Sequence, residues 1–167
     1  MSERRRVVVT GLGVISPVGN DVPTAWGNLV AGRSGIGPIT RFDAKDFRVR
    51  IAGEVRGFDV EAYMPAKEAR RMDTFIHFGI AASIEAVRDS GLEVTDANRE
   101  TIGCMVGSGI GGLPMIEDNH GEFVSRGPRR ISPFMIPGAI INMVSGNLSI
   151  MLGLKGPNMA IVTACTT

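Results

Sequence analysis

Residues 156–167 read GPNMAIVTACTT. Gly156-Pro157 is a turn signal, and Met159 to Val162 form the short apolar run expected of a buried strand. Small residues then deliver Cys165 to the strand's tip, two residues before Thr167. Two other segments share this design. Residues 6–10, RVVVT, run into Gly11-Leu12-Gly13, and residues 101–112, TIGCMVGSGIGG, set an apolar run ahead of a glycine turn. Helical patterns separate the three. Strands of this kind alternating with helices predict an α/β fold, with a mostly parallel sheet covered by helices.

The clearest helical pattern is DTFIHFGIAASIEAVRDSG, residues 73–91. Asp73 can cap it, Ile76, Ile80, Ile84 and Val87 share a face, and Gly91 closes it. A shorter helix is expected from Pro23 to Ala31, capped by Asp21 or Asn20 and ended by Gly32. Residues 113–125 also read as helical. AIINMVSGNLSIML, residues 139–152, sets Ile140, Val144, Leu148 and Met151 or Leu152 on one face, with Gly146 permitting a close neighbour. RISPFMIPG before it reads as a loop with two prolines. Residues 33–72 read as irregular, except that RVRIAGEV alternates like a half-exposed strand. No repeat, low-complexity segment or linker divides the chain, so residues 1–167 are read as one domain.

Composition excludes several classes. The formal net charge is +1 and aromatic residues make up 5%, which argues against a nucleic-acid surface. No apolar run reaches the roughly 18 residues of a membrane span. The basic start Arg4 to Arg6 before an apolar run invites comparison with a secretion signal, but Gly11, Gly13 and Pro17 interrupt it and no small-residue cleavage site follows. It reads as a solvated lead-in. Two cysteines, Cys104 and Cys165, suit neither a disulfide framework nor a metal site, and point to a reducing compartment.

Gly107-x-Gly109-x-x-Gly112 matches a dinucleotide fingerprint, and Gly11-x-Gly13-x-x-Ser16 nearly does. In such a motif the glycines admit a pyrophosphate to a helix N-terminus, and an acidic residue closes a further strand about twenty residues on. Neither loop is followed by that strand and acid, so tight turns at strand ends are the better reading. A pocket wall with Ile110 facing something apolar is another.

Cys165 has two readings. Free cysteines are commonly buried and inert, and Cys104 inside IGCMVG fits that description. A cysteine where a strand meets a helix start, flanked by small residues, can instead be a nucleophile with backbone N–H groups beside it.

Together VVVTGLGVISPVGN, GSGIGG, RISPFMIPGAIINMVSGNLSIMLGLKGPN and VTACTT resemble the N-terminal part of the β-ketoacyl-acyl-carrier-protein synthases, above all the bacterial type II condensing enzymes of fatty-acid synthesis. The resemblance covers essentially the whole chain, and TACT after a Gly-Pro turn and a short strand is its most specific element. It implies the thiolase-like layered α/β fold, with residues 1–167 an incomplete N-terminal half. It also implies a decarboxylating Claisen condensation in which Cys165 carries the acyl group as a thioester. Ile110 would line the acyl pocket, Phe134 would reach the pocket of a partner subunit, and Lys67, Arg70 and Arg71 would dock the acidic acyl carrier protein. A cytoplasmic homodimer without cofactor or metal is implied.

The family's two histidines, its lysine and its gating glycine loop would lie beyond Thr167. His77 and His120 read as surface or packing residues, so the 167 residues alone are expected to be inactive. A polyketide-type ketosynthase remains compatible with these residues. A non-condensing chain-length factor is disfavoured by Cys165, and a dinucleotide-binding module would rest on the glycine loops alone.

Overall fold

The computed structural model describes residues 5–167; Arg4 of the basic lead-in lies outside them. Two compact units are formed. The first comprises the chain up to Phe58 plus Ala82–Leu92, and the second Asp59–Ala81 plus Glu93–Thr167.

In the first unit, helix α1 spans Val22–Val30. Asp21 caps it: its Oδ1 accepts the Thr24 N–H at 2.7 Å and its Oδ2 the Thr24 hydroxyl at 2.8 Å. Asn20, the other expected cap, donates instead to the Arg56 carbonyl. Gly32 takes the left-handed conformation that ends the helix (φ 66°). Strands β1 (Ile36–Pro38) and β2 (Ile51–Gly53) pair antiparallel, so the alternating RVRIAGEV segment supplies a strand as expected. Glu54 follows it, buried, with its carboxylate accepting the Thr40 N–H at 2.9 Å, the Thr40 hydroxyl at 2.7 Å and the Arg41 N–H at 3.3 Å. These donors, the Thr40 hydroxyl first, hold its carboxyl below the ordinary range.

The expected first strand is not formed. Residues 6–10 form no strand and have no ladder partner among the described residues, and Val7, Val8 and Val9 are exposed. β-branched residues favour extended backbone, but a strand also needs a neighbour to take its hydrogen bonds. The glycines that follow do have a steric reason. A Cβ on Gly11 or Gly13 would fall on the carbonyls of Ala86 or Ala82.

In the second unit a 3-10 turn (Val60–Ala62) and the short helix α2 (Ala66–Ala69) precede α3 (Thr74–Ser90). α3 is the predicted long helix, and its last residues belong to the first unit. Ile76, Ile80 and Ile84 are buried and Val87 half-buried, as the 3.6-residue period requires. Gly91 ends it at φ 66°. β3 (Cys104–Met105) and β4 (Asn158–Met159) pair in parallel. Their ladder runs further than these bounds: Cys104, Val106 and Ser108 N–H groups donate to the Pro157, Met159 and Ile161 carbonyls at 2.8, 3.3 and 3.2 Å. This alternate-residue spacing is that of a parallel pair. The strand predicted as buried is nevertheless open, with Met159, Ile161 and Val162 exposed, because no layer covers it among the described residues.

Helix α4 spans Leu113–Arg126 and α6 Met143–Leu152. Part of the predicted RISPFMIPG loop is the helix α5, Met135–Ala139, since its Pro137 sits where the first turn needs no N–H donor. Of the predicted α6 face, Val144 and Leu148 are buried but Ile140 lies before the helix and is exposed. Nor does Gly146 make the close approach, since a Cβ there would meet only Met143 Sδ at 3.9 Å. Gly79 does, because a Cβ on it would lie 2.6 Å from Val144 Cγ1.

Candidate active site

The parallel ladder points at Cys165. Beyond Ile161 the chain turns through a 3-10 turn, Ala164–Thr166, with Cys165 exposed at its centre. Among the described residues Ala164 is the non-glycine residue with a left-handed backbone (φ 51°). That conformation costs on the order of 1–2 kcal/mol for an L-residue, and here it lies next to the exposed thiol. The threonines brace the turn. Thr163 N–H donates to Thr167 Oγ1 at 2.8 Å, and the Thr166 hydroxyl donates to the Thr163 carbonyl at 2.9 Å.

Cys104 is the opposite case. Its side chain is buried, and desolvation pushes its thiol up, against a hydrogen bond with Ser149 that lowers it. The core reading of Cys104 therefore holds. Beside it, Asn158 fastens the start of β4 to α6: its Nδ2 donates to the Ser145 carbonyl (2.9 Å) and Ser149 Oγ (2.6 Å), and its Oδ1 accepts from Ser145 Oγ (2.9 Å). No spacing rule in the sequence marks this asparagine.

The glycine loop packs against the cysteine turn. A Cβ on Gly107 would strike the Thr167 side chain and lie 3.1 Å from the Ile161 carbonyl, and one on Gly109 would lie 3.5 Å from the Ala164 carbonyl. Gly112 leaves no room either, with Asp73 Cβ at 2.8 Å and Ala139 Cα at 2.9 Å from the Cβ position. The helix start that a pyrophosphate would need is occupied. Leu113 N–H donates to Gly111 O, Ile116 N–H to Gly112 O, and Met115 N–H to the Asp73 carboxylate at 2.8 Å; residue 114 is proline. The dinucleotide reading fails on this geometry, because its N–H groups are spent inside the protein.

Ile110, exposed, lines an apolar pocket of about 340 Å³ with Ile116, Met135, Ile136, Ala139 and Ile141 among its walls. Phe134 is not in that lining. Its ring lies under the Arg71 guanidinium, 4.7 Å from centroid to Cζ, and the neighbouring Met135 faces the pocket. Met135 was not among the residues expected there, and only a flexible thioether's ability to fill irregular space hints at it.

Lys67 and Arg70 are exposed. Arg70 Nε donates to the Ala66 carbonyl at 3.3 Å, and its side chain helps line a hollow of about 390 Å³ with Val60, Met72 and His77. Arg71 is turned inward by comparison, paired with Glu68 at 3.2 Å. His77 Nε2 is 2.9 Å from the Ala69 carbonyl, a packing role, and His120 is exposed on α4. Among the described residues no cluster of three His, Cys, Asp or Glu side chains could hold a metal ion, and no helix is long and apolar enough to cross a membrane.

Comparison with known proteins gives a consistent picture. The family model described as the N-terminal domain of β-ketoacyl synthase matches residues 4–167. The 3-oxoacyl-[acyl-carrier-protein] synthase 2 of Vibrio cholerae is 58% identical over 98% of this chain and 40% of its own length. That of Staphylococcus aureus is 48% identical over 100% of this chain and 40% of its own. Among solved structures, the ishigamide ketosynthase/chain length factor superposes with a TM-score of 0.83 at 30% identity, over 96% of this chain and 40% of that one. A type II PKS ketosynthase in complex with its acyl-carrier protein gives a TM-score of 0.72 at 26% identity, over 97% of this chain and 42% of that one. The chain thus spans about 40% of the length of the curated relatives it matches.

Proposed function

This chain belongs to the β-ketoacyl synthase family, and from that premise we propose that it is the N-terminal part of a condensing enzyme that elongates fatty acyl chains. Its fold is the thiolase-like α/β fold of the ketosynthases. The domain reading proposed is that residues 1–167 form part of the first half of one ketosynthase domain, which the matching N-terminal family model supports.

The observation that carries the proposal is the placement of Cys165 on a braced turn that follows a parallel ladder and packs against the glycine loop, in a chain matched by the N-terminal family model. Cys104, by contrast, lies in the core. In the first half-reaction the Cys165 thiolate attacks the carbonyl of an acyl thioester borne by acyl carrier protein. The carrier's thiolate leaves and takes up the proton, and an acyl-cysteine remains. In the second, malonyl-carrier loses CO₂, and the carbon left with the electron pair attacks the acyl-cysteine. A carbon–carbon bond forms, the C–S bond to Cys165 breaks, and 3-oxoacyl-carrier departs. Residues of this chain supply the nucleophile, the turn that presents it and one wall of the acyl pocket, with Ile110 in that wall. Phe134 is assigned to the pocket of a partner subunit in a cytoplasmic homodimer, and Lys67, Arg70 and Arg71 to the acidic carrier.

Fatty-acid elongation is favoured over polyketide extension by identity: 48–58% to the synthases named above, against 26% to the type II PKS ketosynthase. The test is product formation by the full-length protein from acyl-carrier and malonyl-carrier. 3-Oxoacyl-carrier and CO₂ in equal amounts, both lost in Cys165→Ala, are expected. Undiminished condensation by that variant would reject the assignment.

A further inference from the structure

The two segments assigned to carrier docking and to the acyl pocket meet at one residue. Arg71 follows α2 in the basic segment, and its backbone and side chain both contact the stretch that ends as the pocket wall. The Arg71 carbonyl lies so close to Gly138 that a Cβ there would sit 2.6 Å from it. Two residues on, Asp73 N–H donates to the Gly138 carbonyl at 3.0 Å. Above these contacts the guanidinium stacks on Phe134 at 4.7 Å, and its NH1 reaches both Glu68 carboxylate oxygens at 3.2 Å. Neither partner of the stack is fully solvated: the Arg71 side chain is 37% exposed and Phe134 38%. Met135 and Ile136, immediately after Phe134, and Ala139 at the end of α5 line the apolar pocket with Ile110.

We propose that Arg71 is a positioning residue that couples the basic docking segment to the pocket wall, so that an acidic partner gripping its guanidinium and an alkyl chain filling the pocket influence one another. The inference rests on the proposed function, because that function supplies both ligands. Its physics is competition. A carboxylate on the carrier must draw the guanidinium from Glu68 and Phe134, since one planar cation has a limited set of donor edges and faces. Releasing the stack frees Phe134 and with it the first turn of α5, which presents Met135 and Ile136. Linkage then requires that chain occupancy alter carrier affinity by the same factor.

The experiment uses full-length protein and two acyl donors over a range of chain lengths: acyl-carrier protein and acyl-pantetheine, which has no protein to dock. Cys165 acylation is followed by intact mass. Arg71→Gln should shift the chain-length profile with acyl-pantetheine by about threefold to tenfold, the size expected of one partly exposed cation–π contact. Phe134→Leu should shift the profile too, directly as well as through the lost stack, and Arg71→Gln should add nothing further in that background. Arg71→Lys, which keeps the charge but not the planar stack, should regain carrier affinity while keeping the altered profile. It also guards against a folding defect in Arg71→Gln. An acyl-pantetheine profile unchanged in Arg71→Gln and Arg71→Lys, or additive effects in the double variant, would overturn the coupling while leaving the proposed function intact. Failure of the unsubstituted protein to acylate Cys165 from either donor would overturn both.

Discussion

The carboxylate of Asp73 accepts the Met115 backbone N–H at 2.8 Å, so a side chain 42 residues away caps the start of α4. The same side chain accepts the Phe75 N–H at 3.3 Å at the start of α3, and is buried. One residue thus serves two helix N-termini beside the glycine loop. Asp73→Ala should destabilise the full-length protein by about 1–3 kcal/mol, somewhat more than one lost cap. Asp73→Asn, which keeps an acceptor, should cost less. Denaturant titration of both variants checks the order.

Gly112→Ala should be similarly costly, at about 1–3 kcal/mol, because its Cβ would press on Asp73 and on the Ala139 backbone. Gly109→Ala should be milder, since its Cβ would meet only ordinary contacts. Melting temperatures in that order support the packing account of the loop. The reverse order would contradict it.

The helices were the most legible part of the sequence, because their signals are local. Asp21 before Val22 and Asp73 before Thr74 mark starts, Gly32 and Gly91 mark ends, and the isoleucines of α3 keep one face. That a strand runs toward Cys165 was legible for the same reason, whereas its reading as a nucleophile came from the family resemblance. Pairings between distant segments were not. Nothing near residue 73 indicates that Asp73 reaches Met115, and nothing in SPFM says that Met135 enters the pocket while Phe134 stacks under Arg71. The run Val7 to Val9 has strand composition, but composition does not supply a partner strand.

Glu54 gives a pH prediction. Its carboxyl is held below the ordinary range, so the folded state favours the ionised form. That contribution is complete above the carboxyl's unfolded pKa and is lost as pH falls through the lowered folded value. Melting temperature should therefore fall on the acid side of the ordinary carboxylate range, and Glu54→Gln should flatten that part of the profile. An identical acid profile in both proteins would count against this role for the Thr40 and Arg41 donors.

Reversing charge in the docking segment should weaken carrier binding. Arg70→Glu with Arg71→Glu is expected to lower affinity for acyl carrier protein and reduce its salt dependence, because complementary charge sets encounter rate and register. Binding measured at two ionic strengths checks both. Unchanged affinity and unchanged salt slope would remove this segment from the interface.

The central claim is that Cys165 is the acyl-accepting nucleophile. Its most direct test is peptide mapping of full-length protein after incubation with an acyl-carrier thioester and without malonyl-carrier. The account predicts one acyl group per chain, on the peptide containing Cys165, with Cys104 unmodified in the native protein. Acyl label on any other residue, or full labelling of Cys165→Ala, would contradict it.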